Sequence, residues 1–245
     1  MNDMAPNYLV PYVVSGTVAV IASVVFGLHR ALKRAGWPGR ERRQAVWSGA
    51  VVLTAWFVAA VLLSRSGFYR VAGVGIPTIQ YGILIPIILG VALFWKWGAL
   101  RRVVEAMPQE WIVSVQFYRA LGLIFLVLYA GGHLPGAFAW PAGVGDVTVG
   151  LLAPAVGIVW ARRSRSAAGL VRGWNLLGIG DLVVAVTTGF LTSPSRFQML
   201  AFDAPNELIS AFPLAMIPVF LVPLSILLHF ASLKKLRQTE TGESG

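Results

Sequence analysis

Long runs of apolar residues, separated by short polar or basic segments, dominate the pattern of this chain. A helix crosses a bilayer core of about 30 Å with about 20 mostly apolar residues. Seven stretches meet that requirement, at Tyr8–Leu28, Val46–Leu63, Ile76–Phe94, Ile112–Gly132, Phe138–Val159, Val171–Leu191 and Ile209–Leu233. The alternating period of a barrel strand is absent, and an open sheet leaves backbone groups unpaired in lipid. The pattern therefore predicts an all-α, polytopic integral membrane protein with seven transmembrane helices.

The segments between these stretches are short, which leaves no room for a separate soluble domain. We therefore expect residues 1–237 to form a single seven-helix transmembrane domain. Residues 238–245 are polar and contain Gly, so they predict a disordered cytoplasmic tail. Residues 99–105 (AlaLeuArgArgValValGlu) predict a short surface helix, flanked by the tryptophans of an interfacial aromatic belt.

The composition agrees with a membrane protein. Of the 245 residues, 57% are hydrophobic and 12% are charged, whereas a soluble domain carries about 25% charged residues. So apolar a chain is neither disordered nor a nucleic-acid-binding module, despite its net charge of +10. Because the chain has no cysteine, it forms no disulfide, thiolate metal site or thiol nucleophile. We expect no cofactor and no metal site.

The basic residues lie mostly in alternate connecting segments. Sixteen Lys and Arg residues follow the first, third, fifth and seventh stretches, and three lie in the other connections. The positive-inside rule therefore predicts an N-terminus outside and a cytoplasmic C-terminus. The first eight residues lack the basic segment of a secretory signal, so we expect the first span to be retained. The cytoplasmic face is expected to attract anionic lipid, without a role for nucleic acid.

Three charged residues lie well inside the predicted spans, away from their ends: Arg119 in the fourth, Asp146 in the fifth and Asp181 in the sixth. A charge at the bilayer centre costs several kcal/mol unless it is paired or hydrated. We therefore expect these side chains to face the protein interior, with Arg119 paired to one or both aspartates. Because one arginine balances the charge of only one aspartate, the second carboxyl group lacks a counterion. That acid is expected to bind a proton or a cationic ligand.

The two aspartates belong to a repeated pattern, Gly-x-Gly-Asp followed by a small residue four positions later, at residues 143–150 and 178–185. The midpoint between Asp146 and Asp181 falls near residue 163, inside a basic turn. Antiparallel helices with arms of equal length place both aspartates at one depth, on the order of 15–20 Å from the cytoplasmic interface. The glycines would allow close helix contact. Chance recurrence and an ancestral helix duplication both remain open.

Two further residues are candidates for a ligand- or proton-binding site. Gln116 precedes Arg119 by three residues and Trp174 precedes Asp181 by seven, so each shares a helix face with a charged residue. Other polar residues in the spans are expected to form interhelical hydrogen bonds: Gln80, Tyr81, Tyr118 and Asn175.

The three histidines lie near the ends of predicted spans, with His29 and His229 at the cytoplasmic side and His133 at the outer side. We expect them to be interfacial; a haem held by His29 and His229 is the alternative. Pro213, Pro218 and Pro223 recur through the last stretch and predict a bent helix, which suits a hinge motion.

These features favour a small-solute or proton-coupled carrier, or a related ligand-binding membrane protein. One alternative is a membrane sensor or accessory subunit. Another is an intramembrane enzyme acting on a lipid-phase substrate, in which paired aspartates activate water. Covalent retinal is excluded because no lysine lies inside a span. The abundance of Ala, Gly, Val and Arg is typical of a GC-rich bacterial gene and indicates a bacterial inner membrane.

Overall fold

The computed structural model of the protein describes residues 5–70 and 75–242. The regular elements in these ranges are helical, and seven helical segments are long and apolar enough to cross a membrane. The predicted all-α fold with seven helices of membrane-spanning length is therefore confirmed. Five of the spans each consist of one uninterrupted helix: α1 (Leu9–Arg34), α2 (Gly39–Arg65), α3 (Ile79–Lys96), α7 (Gly136–Ala161) and α8 (Ala167–Thr192). A shorter helix, α4 (Gly98–Ala106), follows α3.

Two of the seven spans are composite. The fourth span (Gln109–Ala130) consists of α5 (Gln109–Ser114), a 3₁₀-helix (Val115–Gly122) and α6 (Leu123–Ala130). The seventh span (Ile217–Thr239) begins with a π-helical turn (Ile217–Leu221) and continues in α9 (Val222–Gly242). Short irregular helices are frequent at functional sites, and both of these border the charged residues described below.

The predicted start of the last span, at Ile209, is wrong. The structure has a short 3₁₀-helix at Leu208–Ser210, then turns that include a cis peptide before Pro213, and the span begins only at Ile217. The intervening residues are apolar because they are buried in the bundle, and Leu214 and Met216 are 0% exposed. An apolar loop packed inside the protein has the same hydropathy as a span, so composition alone misplaces the boundary.

Two further predictions concern the C-terminal end of the chain and the connection after α3. α9 extends to Gly242 and so includes the first residues of the segment for which a disordered tail is expected. Residues 243–245 lie outside the described residues. The predicted surface helix is present as α4, none of whose residues is buried.

The spans differ in how much surrounding protein covers them. In the most apolar window of the seventh span 67% of the residues are buried, against 6% in α2 and 11% in α3. α9 contacts α3, α5 and α8, and α7 packs between the fourth span and α8. The outer helices expose large apolar side chains such as Phe26, Val52 and Ile88, each more than 60% exposed. Such a surface is unfavourable in water and suits acyl chains.

The two ends of the bundle differ in charge. One end, where α1, α3, α7 and α9 end and α2, α4 and α8 begin, carries sixteen Lys and Arg residues, and the opposite end carries Arg65, Arg70 and Arg196. We call the end with sixteen basic residues the basic end of the bundle and the opposite end the far end.

Three glycines at seven-residue spacing bring α7 against the fourth span. A Cβ at Gly143 would lie 2.7 Å from Leu126 Cγ, and one at Gly150 would lie 2.5 Å from the backbone nitrogen of Ala120. Gly157, one further repeat toward the basic end, faces Ser114. The backbones therefore approach more closely than any larger residue permits. This contact sets the position of the 3₁₀-helix, which carries Arg119.

Candidate functional site

The 3₁₀-helix aligns three buried residues of the fourth span. Its three residues per turn place Gln116, Arg119 and Gly122 in one row along the helix, and all three are buried. The row faces the interior of the bundle, where α7, α8 and α9 meet. Arg119 is consequently only 3% exposed although it lies in the middle of a span.

Arg119 forms ion pairs with both intramembrane aspartates. Its Nε donates to Asp146 Oδ1 at 2.8 Å, and its Nη2 donates to Asp181 Oδ2. Nη1 donates to the carbonyl oxygen of Gly178 at 3.2 Å. One guanidinium thus joins the fourth span to α7 and α8. The expectation that the three charges meet inside the protein is confirmed.

His229 completes the contacts of this guanidinium. It is 0% exposed, and Arg119 Nη1 donates to its Nε2 at 3.3 Å. Because arginine only donates hydrogen bonds, Nε2 carries the lone pair. The proton therefore lies on Nδ1, which donates to Asn175 Oδ1 at 2.8 Å. These partners fix one neutral tautomer of the imidazole.

The expectation that His229 is interfacial is wrong. The seventh span begins at Ile217 and continues to Thr239, so His229 lies near its middle instead of near its end. The available signal in the sequence was Asn175, since a polar side chain inside the sixth stretch is expected to bond to another helix. Its partner in the structure is His229.

A hydrogen-bonded chain leads from His229 toward the basic end. Asn175 Nδ2 donates to Ser232 Oγ at 2.9 Å, and Gln109 Nε2 donates to the same oxygen at 2.7 Å. We call Gln109, Asn175, His229 and Ser232 the basic-end network. Each member is at most 2% exposed. Sequence reasoning missed Gln109 and Ser232, because uncharged polar residues are common near span ends.

The two remaining candidates are buried near this network. Trp174 packs its ring against the imidazole of His229, with centroids 4.9 Å apart, and its Nε1 donates to Val149 O at 3.1 Å. Gln116 is 0% exposed, and neither its amide nitrogen nor its amide oxygen has a hydrogen-bond partner in the described part of the chain. Neither residue lines the two cavities described next.

Two cavities meet at Asp146. The larger, of about 130 Å³, lies toward the far end between α3, α8 and the seventh span. The smaller, of about 20 Å³, lies beside Tyr118 and Ser225, whose hydroxyl oxygens are 2.7 Å apart. A space of about 10–15 Å³ is sufficient for one water molecule if polar groups surround it. The smaller cavity therefore has both the size and the partners for one water beside Asp146.

The repeated glycines in front of the aspartates have different surroundings. A Cβ at Gly145 would overlap the carboxylate of Asp181, whereas a Cβ at the equivalent Gly180 would have nothing within 4 Å. Likewise, a Cβ at Gly178 would overlap the imidazole of His229. The close approach of α7 to α8 therefore depends on the first motif, and the close approach of α8 to α9 depends on the second.

We expect Gly145→Ala to destabilise the protein and Gly180→Ala to leave its stability unchanged or slightly raised. The added methyl of Gly145→Ala would push Asp181 away from Arg119, whereas alanine at position 180 adds helix propensity without a contact. The check is the thermal unfolding midpoint of each purified variant in one detergent. Equal midpoints for the two variants would contradict the proposed packing of α7 on α8.

Among known proteins, the chain matches one family model. A family model described as a domain of unknown function (DUF8737) matches residues 76–237, which is more than half of the chain. The matched part begins before α3 and ends in α9, so it contains all the charged residues of the site and excludes α1 and α2. No curated protein and no solved structure matches the chain.

Proposed function

The chain belongs to the DUF8737 family, and we propose that it binds a proton or a cationic ligand at Arg119, Asp146 and Asp181, as a small-solute or proton-coupled membrane carrier. The observation that carries this proposal is the sharing of one buried guanidinium by two carboxylates whose side chains are each 10% exposed. The same three residues that hold the helices together are thus the groups that would bind the ligand.

The charges of the cluster do not balance. Arg119 is always cationic, and the hydrogen bonds of His229 require a neutral imidazole. Two ionised aspartates against one arginine would leave one negative charge in a buried site. An uncompensated charge in a protein interior is costly. A proton on one carboxyl group, or a cationic group beside it, restores neutrality.

The surroundings of the cluster favour a carrier. Asp146 borders both cavities, so a bound proton or cation has space next to it. The π-helical turn lines the same cavities through Ile217. Interrupted helices beside a polar site near the membrane midplane are typical of transporters. A sensor would use the same binding site without solute flux, and uptake into proteoliposomes separates these two functions.

The arrangement is less suited to an intramembrane hydrolase. In aspartyl chemistry the two carboxyl groups share a proton and activate one water between them. Here the guanidinium of Arg119 bonds to both carboxylates and occupies that position. The structure therefore supports binding over catalysis at this cluster.

We expect Arg119→Gln to destabilise the fold by about 3–5 kcal/mol, because it leaves buried carboxylates without their partner. Asp146→Asn and Asp181→Asn should each cost less than about 1 kcal/mol, because each leaves Arg119 with one carboxylate, whose negative charge balances the guanidinium. The measurement is the free energy of unfolding in mixed micelles titrated with a denaturing detergent.

Arg101→Gln serves as the control for loss of a positive charge, since Arg101 is exposed on α4. It should leave the free energy of unfolding unchanged. If both aspartate variants are destabilised as strongly as Arg119→Gln, the site needs both negative charges. The proposal of a spare acid would then be wrong.

The proposal includes an orientation, with the basic end on the cytoplasmic side of a bacterial inner membrane. Sixteen basic residues would there contact anionic lipid. The chain contains no cysteine, so single cysteines can be placed without a background signal. Ser66, at the far end, and Ser164, at the basic end, are both exposed serines in connections between helices.

In intact cells, a membrane-impermeant maleimide should label Ser66→Cys and not Ser164→Cys. After the cells are permeabilised, both variants should react, because both positions are exposed. Labelling of Ser164→Cys alone in intact cells would reverse the proposed orientation and leave the fold unaffected.

A further inference from the structure

The larger cavity has one acidic group in an apolar enclosure. One wall, formed by α8 and the residue after it, runs from Leu182 to Ser193, on the far-end side of Asp181. Another wall is formed by the first turns of α3. Among its lining residues only Gln80, Ser193 and Asp146 are polar. The hydroxyl of Ser193 donates to the carbonyl oxygen of Gly189 at 2.7 Å and is thereby occupied.

Asp146 is suited to bind a positive charge from this cavity. The residue is 7% exposed and lines the cavity, and its hydrogen bond to Arg119 uses Oδ1 only. Its second oxygen, Oδ2, accepts no hydrogen bond from the residues that the structure describes. With both aspartates ionised the cluster would carry one negative charge in excess, and a cation here would neutralise it.

Three phenylalanines add to the preference for a cation. Phe125 and Phe138 form an edge-to-face pair with centroids 5.1 Å apart, and Phe190 lines the cavity on α8. Aromatic faces attract cations, and this attraction is strongest where water is excluded. Rings together with a single carboxylate are the chemistry that recognises an organic ammonium group with an apolar body.

The size of the cavity limits that apolar body. An engineered apolar cavity of about 150 Å³ binds benzene, and the volume here is about 130 Å³. The enclosed part of the ligand is therefore about one six-membered ring or a short branched chain. A longer chain would have to extend out of the cavity.

The cavity borders the outer surface of the bundle through α3. Leu84 lines the cavity and is also 51% exposed, on a helix of which little is covered by other protein. On the other side of Asp146, the basic-end network and Trp174 fill the space between α8 and α9. The ligand thus approaches from the bilayer in the far half, and the basic end is closed.

We propose that this cavity binds a small amphipathic organic cation, an amine with an apolar body of about one ring, whose ammonium group pairs with Asp146. This inference rests on the proposed function of the Arg119 cluster and names its substrate class. The cation replaces the proton on the spare carboxyl group, so that binding of one cation releases one proton.

The test compares three probes of equal ring size on the full-length protein in nanodiscs: benzylammonium, benzyl alcohol and benzoate. Benzylammonium should bind about tenfold or more tightly than benzyl alcohol, because a charge-assisted hydrogen bond to Asp146 is added. Benzoate should not bind. Asp146→Asn should remove the preference for benzylammonium and retain weak binding of benzyl alcohol.

Two variants of α8 separate the cavity from unspecific partition into lipid. Ala185 lines the cavity and Val183 is 56% exposed on the outer surface of the same helix. Ala185→Phe should abolish binding of both benzylammonium and benzyl alcohol, whereas Val183→Phe should bind both as the wild type does. Equal effects of the two variants would show that the probes bind elsewhere and would overturn the proposal.

The outcomes also distinguish this proposal from the proposed function. If benzyl alcohol binds as tightly as benzylammonium, or if Asp146→Asn keeps the preference, the substrate class is wrong. The same holds if no probe binds. In each of these cases the proton site stands as long as the aspartate variants remain much more stable than Arg119→Gln. If that difference in stability is absent, the spare acid itself is refuted.

Discussion

The contact of one guanidinium with two carboxylates in a site without bulk water determines the arrangement of the surrounding helices. Arg119 needs compensation at the depth where it lies, because an unpaired charge there costs far more than any single apolar contact contributes. Aspartate has a short side chain, so it reaches Arg119 only if the backbones come close together. Gly122, Gly145 and Gly178 provide that space beside the three side-chain partners of the guanidinium, which are Asp146, Asp181 and His229. The charges can therefore pair only because these glycines let the helices approach closely.

The cluster of Arg119, Asp146 and Asp181 divides the bundle into two halves of different chemistry. Toward the basic end, polar side chains bond to one another across α5, α8 and α9 and leave little space. Toward the far end, apolar walls enclose a cavity of about 130 Å³ that ends at Asp146. Hydrogen bonds hold a fixed geometry, whereas apolar walls without directional bonds adapt to a guest. In the proposed function, this difference makes the far half the side that admits the ligand and the basic half the closed side.

The sequence was most informative where a residue type was rare in its surroundings. A charged residue inside an apolar stretch has few explanations, so Arg119, Asp146 and Asp181 were identified and their mutual contact was correctly predicted. Gln116 was placed on the correct face because residues three apart are neighbours in both an α-helix and a 3₁₀-helix. That no group among the described residues bonds to its amide could not be foreseen, since this depends on what the other helices place beside it.

The parts that the sequence did not reveal depend on the position of the last span. An apolar loop before Ile217 has the hydropathy of a membrane helix, so the predicted span began too early and placed His229 at its end. That error hid the link between His229, Asn175 and Ser232. The cavity depends on the π-helical turn and on the separation of α3 from α8, and neither follows from an apolar composition.

The repeated Gly-x-Gly-Asp pattern produces two aspartates that are equal in sequence and unequal in surroundings. Both pair with Arg119, but Asp146 borders the two cavities and Asp181 lines neither of them. Only a carboxyl group next to open space can exchange a proton for a cation without movement of the helices. In the proposed function Asp181 is therefore the constant counterion of Arg119, and Asp146 is the acid that changes its partner. In the proposed function the two copies of the motif therefore have different roles, because Asp146 lines both cavities and Asp181 lines neither.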